Sequence, residues 1–515
     1  MYRENPFGNP DGARADLKEI EHSFITEYPY GLCFKRDLNS ILNKRVIVGA
    51  KGSGKTVYLR KIQSILKERM EKNSSIYVDD SIEQNLNCTD RVIKYCDLFP
   101  KKTLSEKWCI AWQITILLTL ANKFLFNPVL KNYVSDEDRK SLLRFMSKTI
   151  LVTKDDLDHQ REYSLYSFFQ ILLYAAETRV QTNKILEDRG WFWLKDTLIK
   201  VLRKSPEVYL FLDSIDSEYE HAPLHWLMCQ KGLFYAVLSF LQQGILGEKL
   251  HLIITLRDNV FTSILRSEHA TKYCNENHIF PLTWNKTNIE SFLSQKVSAL
   301  DNCYFISDIQ DKKDIASWLS ISTIQNEYGN NEDIASFIIR HTRLVPRDLI
   351  IVCNELAKLH LEIVSQGKID ISGKIQKIVY KNSKNFGEEL LTICAKNITA
   401  NCMPTGAGQN DYSDGFTANQ VYRENTYDKL IHLLSRIITK SRFSDEVIEN
   451  LREAGEEAFG KDAFLLDVLW QNNVIAYIEN GVSIYYGQDF NGDTLLPRGK
   501  KVYELCACVA LKTLQ

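Results

Sequence analysis

The stretch Lys44–Leu59, KRVIVGAKGSGKTVYL, decides how the chain is read. Val46-Ile47-Val48 is a β-branched run of the kind that forms a buried strand. Gly49, Gly54, Lys55 and Thr56 then fit G-x-x-x-x-G-K-[ST]. In such a turn the backbone N–H groups of Gly49, Ala50, Lys51, Gly52, Ser53, Gly54, Lys55, Thr56 and Val57 point inward around phosphates. Lys55 reaches the β- and γ-phosphates, and the Thr56 hydroxyl ligates Mg²⁺. After Thr56, Leu59, Ile62 and Leu66 share one helical face. The helix N-terminus adds its own attraction for anions. Strand, glycine turn and helix come in the required order, so the expected ligands are ATP or ADP with Mg²⁺.

Such a loop needs an acid at the tip of a second strand to hold the metal. Val208–Asp216, VYLFLDSID, offers one. Asp213 ends the apolar run and is the expected metal ligand. Asp216, or else Glu218, is placed to orient an attacking water. Ser214 stands where many AAA+ enzymes carry a catalytic Glu, which points to slow hydrolysis. A third apolar run, LHLIITL at 250–256, ends in Arg257 and Asp258, making Thr255 and Arg257 candidates for sensing the γ-phosphate. In RHTRLVPRDLIIVCNELAKLH at 340–360, Pro346 opens a helix. Arg347 then falls in the first turn, where a cation opposes the helix dipole unless an anion is near. A GTPase would read guanine through N-K-x-D. The nearest match, Asn285-Lys286-Thr287-Asn288, lacks the carboxylate.

Taken in order, GAKGSGKT, VYLFLDSID, LHLIITLRD and TRLVPRDLI resemble the AAA+ branch that contains STAND and KAP-type P-loop ATPases. More narrowly, the chain is similar to bacterial P-loop ATPases often encoded in antiphage-defence loci, which share an NPFG-like start (here Asn5 to Gly8) and a winged-helix-like end. The resemblance covers roughly residues 1–100 and 205–360. It implies that Thr255-Leu256-Arg257 is a sensor-1 element and that Pro346-Arg347-Asp348 lies in a sensor-2 region. Arg266, Arg340 and Arg343 are the arginine-finger candidates, with no basis for choosing among them.

With 515 residues, 44% hydrophobic and 25% charged, the chain is long enough for several domains. We divide it into a lead-in at 1–43, with amphipathic helix signals from Ala15 to Ile25, and an α/β P-loop NTPase core at 44–284. That core is interrupted by an aromatic-rich helical insertion at about 101–205. A helical lid at 285–400, a linker or loop at 401–420 and a winged-helix-like domain at 421–515 follow. The C-terminal domain is expected from helical stretches at 427–440, 444–458 and 462–471, followed by a hairpin turning at Asn480-Gly481. From Ser441 to Ile475 eight acids face three bases, a net of -5. DNA affinity rests on phosphate neutralisation, so this surface suits protein contacts better. Arg498, Lys500 and Lys501 keep DNA contact open.

The whole chain is near neutral at -1, with no global pull on nucleic acid or anionic membrane. The polar N-terminus gives no signal peptide, and the longest apolar run, 108–121, is too short to span a bilayer. The twelve cysteines include no C-x-x-C pair, which argues against structural zinc and for a reducing, cytoplasmic setting. No motif for a nuclease, protease, deaminase or TIR-like effector is evident. The expectation is a regulatory, self-associating ATPase with an effector or partner protein on a separate chain. A DNA-binding initiator- or loader-like ATPase and a non-hydrolysing scaffold are the alternatives.

Overall fold

The computed structural model describes residues 3–17, 38–83, 88–149, 151–152, 161–213, 223–265, 273, 276–305, 313–366, 371–402, 415–486 and 495–514. Five strands, β1 (Val46–Gly49), β2 (Ile76–Glu83), β3 (Glu207–Leu212), β4 (Leu250–Arg257) and β5 (Ile279–Pro281), form one sheet in the order β2-β3-β4-β1-β5. Every pairing in it is parallel, and the architecture is mixed α/β. Parallel strands need crossovers, so helices cover both faces and the strands between them are apolar throughout.

Alternation along the strands sorts the two faces. Ile47, Val78, Tyr209, Phe211, Ile253 and Phe280 pack with Tyr58, Leu59, Ile62 and Leu66 of α1 (Lys55–Lys72). Val46, Val48, Val208, Leu210, Ile254 and Leu256 belong to a larger core shared with the helices that precede β3. These include α2 (Lys101–Phe126), α3 (Asp136–Met146), α4 (Leu165–Ala175) and α5 (Gly190–Leu202). Segment 101–205 therefore does not stand apart from the sheet. It supplies the apolar layer for one face. Trp108 and Trp112 are fully buried, and Trp112 stacks on Phe169 at 4.1 Å. α6 (Pro223–Leu241) crosses α2 at Gly232, where a Cβ would collide with Trp108. Among the described residues α2 alone is long and apolar enough to cross a membrane, and 78% of its apolar window is buried within the protein.

A second core joins α7 (Lys286–Ser298), the short hairpin of β6 (Thr323–Gln325) and β7 (Asn331–Asp333), α8 (Pro346–Gln366) and α9 (Ile371–Cys402) to the C-terminal region. That region comprises α10 (Gly415–Ile437), β8 (Arg442–Phe443), α11 (Asp445–Phe459), α12 (Leu465–Gln471), β9 (Ile475–Glu479), β10 (Val482–Ile484), β11 (Tyr503–Leu505) and α13 (Ala507–Thr513). Its four strands form an antiparallel sheet in the order β10-β9-β11-β8. Asn480 and Gly481 both take positive φ, 53° and 79°, and close the expected hairpin.

The expected linker at 401–420 needs correction at both ends. Asn401 and Cys402 finish α9, and residues 415–420 begin α10. Residues 403–414 lie outside the described residues. Lengthening a helix already seeded by Leu430, Leu433 and Leu434 fixes one residue per hydrogen bond, so the polar composition of GFTANQ does not stop it. The helix signals expected over Ala15–Ile25 fall almost wholly outside the described residues.

Candidate functional site

In an all-parallel sheet the carboxyl ends of the strands share one edge, where ligands characteristically bind. Register brings the predicted residues together there. Gly49 pairs with Arg257 and Ile47 with Thr255, while Leu212 pairs with Ile254, leaving Asp213 next to Thr255. Asp213 is only 1% exposed. Its carboxylate accepts a 2.7 Å hydrogen bond from Thr255 Oγ1, and its backbone carbonyl accepts one from the Tyr166 hydroxyl at 3.2 Å.

The turn between β1 and α1 needs its glycines. A Cβ on Gly49 would lie 2.6 Å from Ser53 Oγ, and Gly52 and Gly54 have φ of 88° and 97°, a region in which side chains are strained. Ser53 Oγ is buried with no hydrogen-bond partner among the described residues. Lys55 Nζ donates to Gly49 O at 2.7 Å and to Ala50 O at 3.0 Å. Thr56 and Val57 form the first turn of α1, beneath Gly12 of the N-terminal segment.

Pro346 opens α8, as expected. The backbone N–H of Arg347 donates to Gly52 O at 3.4 Å, and a Cβ added to Gly52 would lie 3.1 and 3.2 Å from the Arg347 Cβ and Cδ. Arg347 thus lies on the glycine turn itself. Lys55 and Arg257 consequently both feel Arg347. Burial pulls the Lys55 ammonium down to about 8; Asp258 and Asp213 oppose the shift, while Arg257 and Arg347 add to it. Burial likewise takes Arg257 down to about 10, with Asp258 and Glu389 opposing and Arg347 adding. Asp258 is itself shifted upward by burial, against the pull of Lys55.

Several residues at this edge escaped the sequence reading. Lys51 Nζ pairs with Glu389 of α9 at 2.7 Å, and Glu389 also holds Arg343 at 2.9 Å. Arg343 in turn makes a two-pronged contact with Asp348 at 2.7 and 2.8 Å. Burial works against the charged form of Glu389, but Arg343 and Lys51 hold its carboxyl down to about 2. Nothing in the spacing of Glu389 ties it to the loop some 340 residues earlier; the fold alone makes the link. Arg343 is hence an internal strut between loop and helix, not a projecting finger. Arg340 is similarly engaged, by Glu327 at 2.6 Å and Glu332 at 2.7 Å. Asp216, Ser214, Glu218 and Arg266 lie outside the described residues. Asn285 is explained by helix capping, since its side chain accepts from Asn288 N–H at the start of α7.

Two small adjoining cavities, of about 40 Å³ each, open on the glycine turn. Both are lined by Ala50, Asp258, Arg343, Val345, Gln471 and Asn473. One of them also reaches Ser53, Trp284 and Tyr486. The C-terminal region therefore closes this edge, and the Tyr486 hydroxyl meets Thr262 Oγ1 at 3.3 Å. The N-terminal segment ties the same parts together. Phe7 packs on Trp318 at 4.8 Å, and the Phe7 N–H donates to Asn354 of α8. Farther on, Arg60 of α1 holds the carbonyls of Gly12 and Ala15. The converging cations, the cradle that only glycine permits and the unpartnered Ser53 hydroxyl suit a polyphosphate. No protein-family model matches this chain, and no curated protein or solved structure shows significant similarity to it.

Proposed function

We propose that the chain binds ATP with Mg²⁺ in a P-loop of the AAA+/STAND type and acts as a nucleotide-dependent switch that hydrolyses slowly. One observation carries this reading: Lys55, Arg257 and Arg347 converge on a glycine turn, where Arg257 and Arg347 both disfavour the Lys55 charge and Arg347 disfavours that of Arg257. Assembling three cations costs free energy that a bound polyanion offsets. The turn's N–H groups and Lys55 would hold the phosphates. Thr56 and Asp213 would hold Mg²⁺, which when bound neutralises phosphate charge and polarises the phosphoryl group. Thr255, bonded to Asp213, orients that carboxylate.

The switch follows from where the remaining groups sit. Lys51, Glu389 and Arg343 link the turn to α9, and Arg347 links it to α8. Phosphate entering the turn competes with Glu389 for Lys51, so occupancy changes how the helical lid and the winged-helix-like region are held. By resemblance, the output is assembly with a separate effector chain in antiphage defence. Use of the winged-helix-like region on DNA is disfavoured by α11, whose Arg452 is taken up by Glu449 and Glu456 at 2.8 and 2.9 Å. Measuring particle mass by light scattering with ATP, ADP or neither, with and without DNA, tests the reading. A mass or shape that differs between ATP and ADP without DNA supports it. Identical behaviour in all three states overturns the switch, and a change that needs DNA favours a loader.

A further inference from the structure

Segment 101–205 carries a separate assembly of cations and aromatics. It contains 18 Lys and Arg against 12 Asp and Glu, a net of +6 in a chain of net -1. α5 buries Trp191, Leu194, Leu198, Val201 and Leu202. Its other side leaves Phe192 and Trp193 at 68% and 77% exposure. Lys200, Arg203 and Lys204 are also exposed; position 200 lies about two helical turns beyond Trp193, and Arg203 and Lys204 follow directly after the helix end. None of these three cations has an ion pair among the described residues. Their place near the helix C-terminus is favourable to the dipole, but that accounts for nothing about two bare rings at the opposite end. Large exposed aromatics grouped together mark an interaction surface.

We propose that this face binds single-stranded nucleic acid, with bases stacking on Trp193 and Phe192 and phosphates running along Lys200, Arg203 and Lys204. Flat rings beside unsatisfied cations are what sequence-tolerant single-strand binding requires. Protein interfaces, by contrast, are depleted in lysine. Arg203 and Lys204 lead into the start of β3, the sheet edge opposite the glycine turn. The proposal is therefore independent of the nucleotide reading.

Fluorescence anisotropy of the full chain with labelled 20-nucleotide oligo-dT, oligo-rU and a duplex of equal length is the test. The expected result is single-strand binding that exceeds duplex binding and weakens with salt. Trp193→Ala is expected to weaken it roughly ten-fold while Trp193→Phe retains it. The triple variant Lys200→Glu, Arg203→Glu, Lys204→Glu should weaken it further and flatten the salt dependence, with circular dichroism and melting confirming that each variant folds. The DNA and RNA arms identify the polymer. No binding to either strand at low salt overturns the proposal. So does loss of binding on Arg498→Ala or Lys501→Ala with the α5 variants unaffected. If the α5 variants change particle mass but not oligonucleotide affinity, the face is a contact between copies and the proposal fails.

Discussion

The two edges of the parallel sheet treat buried cations in opposite ways. At the amino edge Arg45, 4% exposed, donates to the carbonyls of Leu42 and Lys44 at 2.7 and 3.0 Å and contacts His251 Nδ1 at 2.6 Å. His251 in turn meets Glu207 at 3.2 Å. Burial lowers Arg45 too, but here it is opposed by Tyr209 and Glu207, and both Nη atoms find partners within 3.0 Å while Nε has none among the described residues. At the carboxyl edge Arg257 and Arg347 both lower Lys55, and Arg347 lowers Arg257, with Asp258 opposing in each case. A buried charge that is paired is architecture, whereas a cluster of like charges is poised for a ligand of opposite sign. The difference separates two sets of residues that look equally basic in sequence.

The sharpest way to break that comparison is Lys55→Ala. Nucleotide affinity, measured by titration with a fluorescent ATP analogue, should fall roughly 100-fold or more, as expected for losing charge-assisted bonds to phosphate. The melting temperature without nucleotide should hardly move. Arg45→Met should do the reverse, lowering unfolding free energy by about 2 kcal/mol in denaturant titrations with nucleotide affinity unchanged. If both variants lose affinity equally, the two edges do not differ as argued. Asp213→Ala should retain nucleotide but lose most of the Mg²⁺ dependence of its binding, a drop of roughly ten-fold at saturating metal.

Acidity and alkalinity sharpen the comparison further. Lys55 sits below its ordinary value, at about 8. Its ammonium empties as pH rises through 8, so ATP affinity should fall by up to about ten-fold by pH 9. A flat affinity profile from pH 7 to 9 would place the phosphate elsewhere. The smallest effect is at Glu389, whose carboxyl lies near 2. A depressed carboxylate contributes stability that is present above its unfolded value, about 4.3, and lost as pH falls towards 2. Glu389→Gln should therefore melt lower than wild type at pH 7, with the gap closing between pH 4 and pH 2.

Much of the carboxyl edge was legible because its signals are local. The strand at 46–49, the glycines at 49, 52 and 54, the acid after β3, the Arg ending β4 and the Pro opening α8 are each declared by a few adjacent residues. The same holds for the Asn480-Gly481 turn. The supporting shell was not legible. Glu389 looks like any solvent-facing acid on a long helix, and Gln471, Asn473 and Tyr486 belong to a region read for quite different purposes. A segment's net charge does not say which charges are paired: in α11 Glu449, Glu453 and Glu456 engage Arg452, and Glu449 also engages Arg498, whereas Lys200, Arg203 and Lys204 have no ion pair among the described residues.

By itself the sequence determined the α/β periodicity and the glycine turn, since β-branched runs, apolar helical faces and positive-φ glycines act through neighbours along the chain. The order β2-β3-β4-β1-β5 was a matter for the tertiary structure. So were the approach of Arg347 to Gly52, the tie from Lys51 to Glu389 and the exposure of Trp193 two residues from a buried Trp191. These depend on which surfaces meet across hundreds of residues. Packing settles that through the burial of whole faces at once, and no short window of residues encodes it.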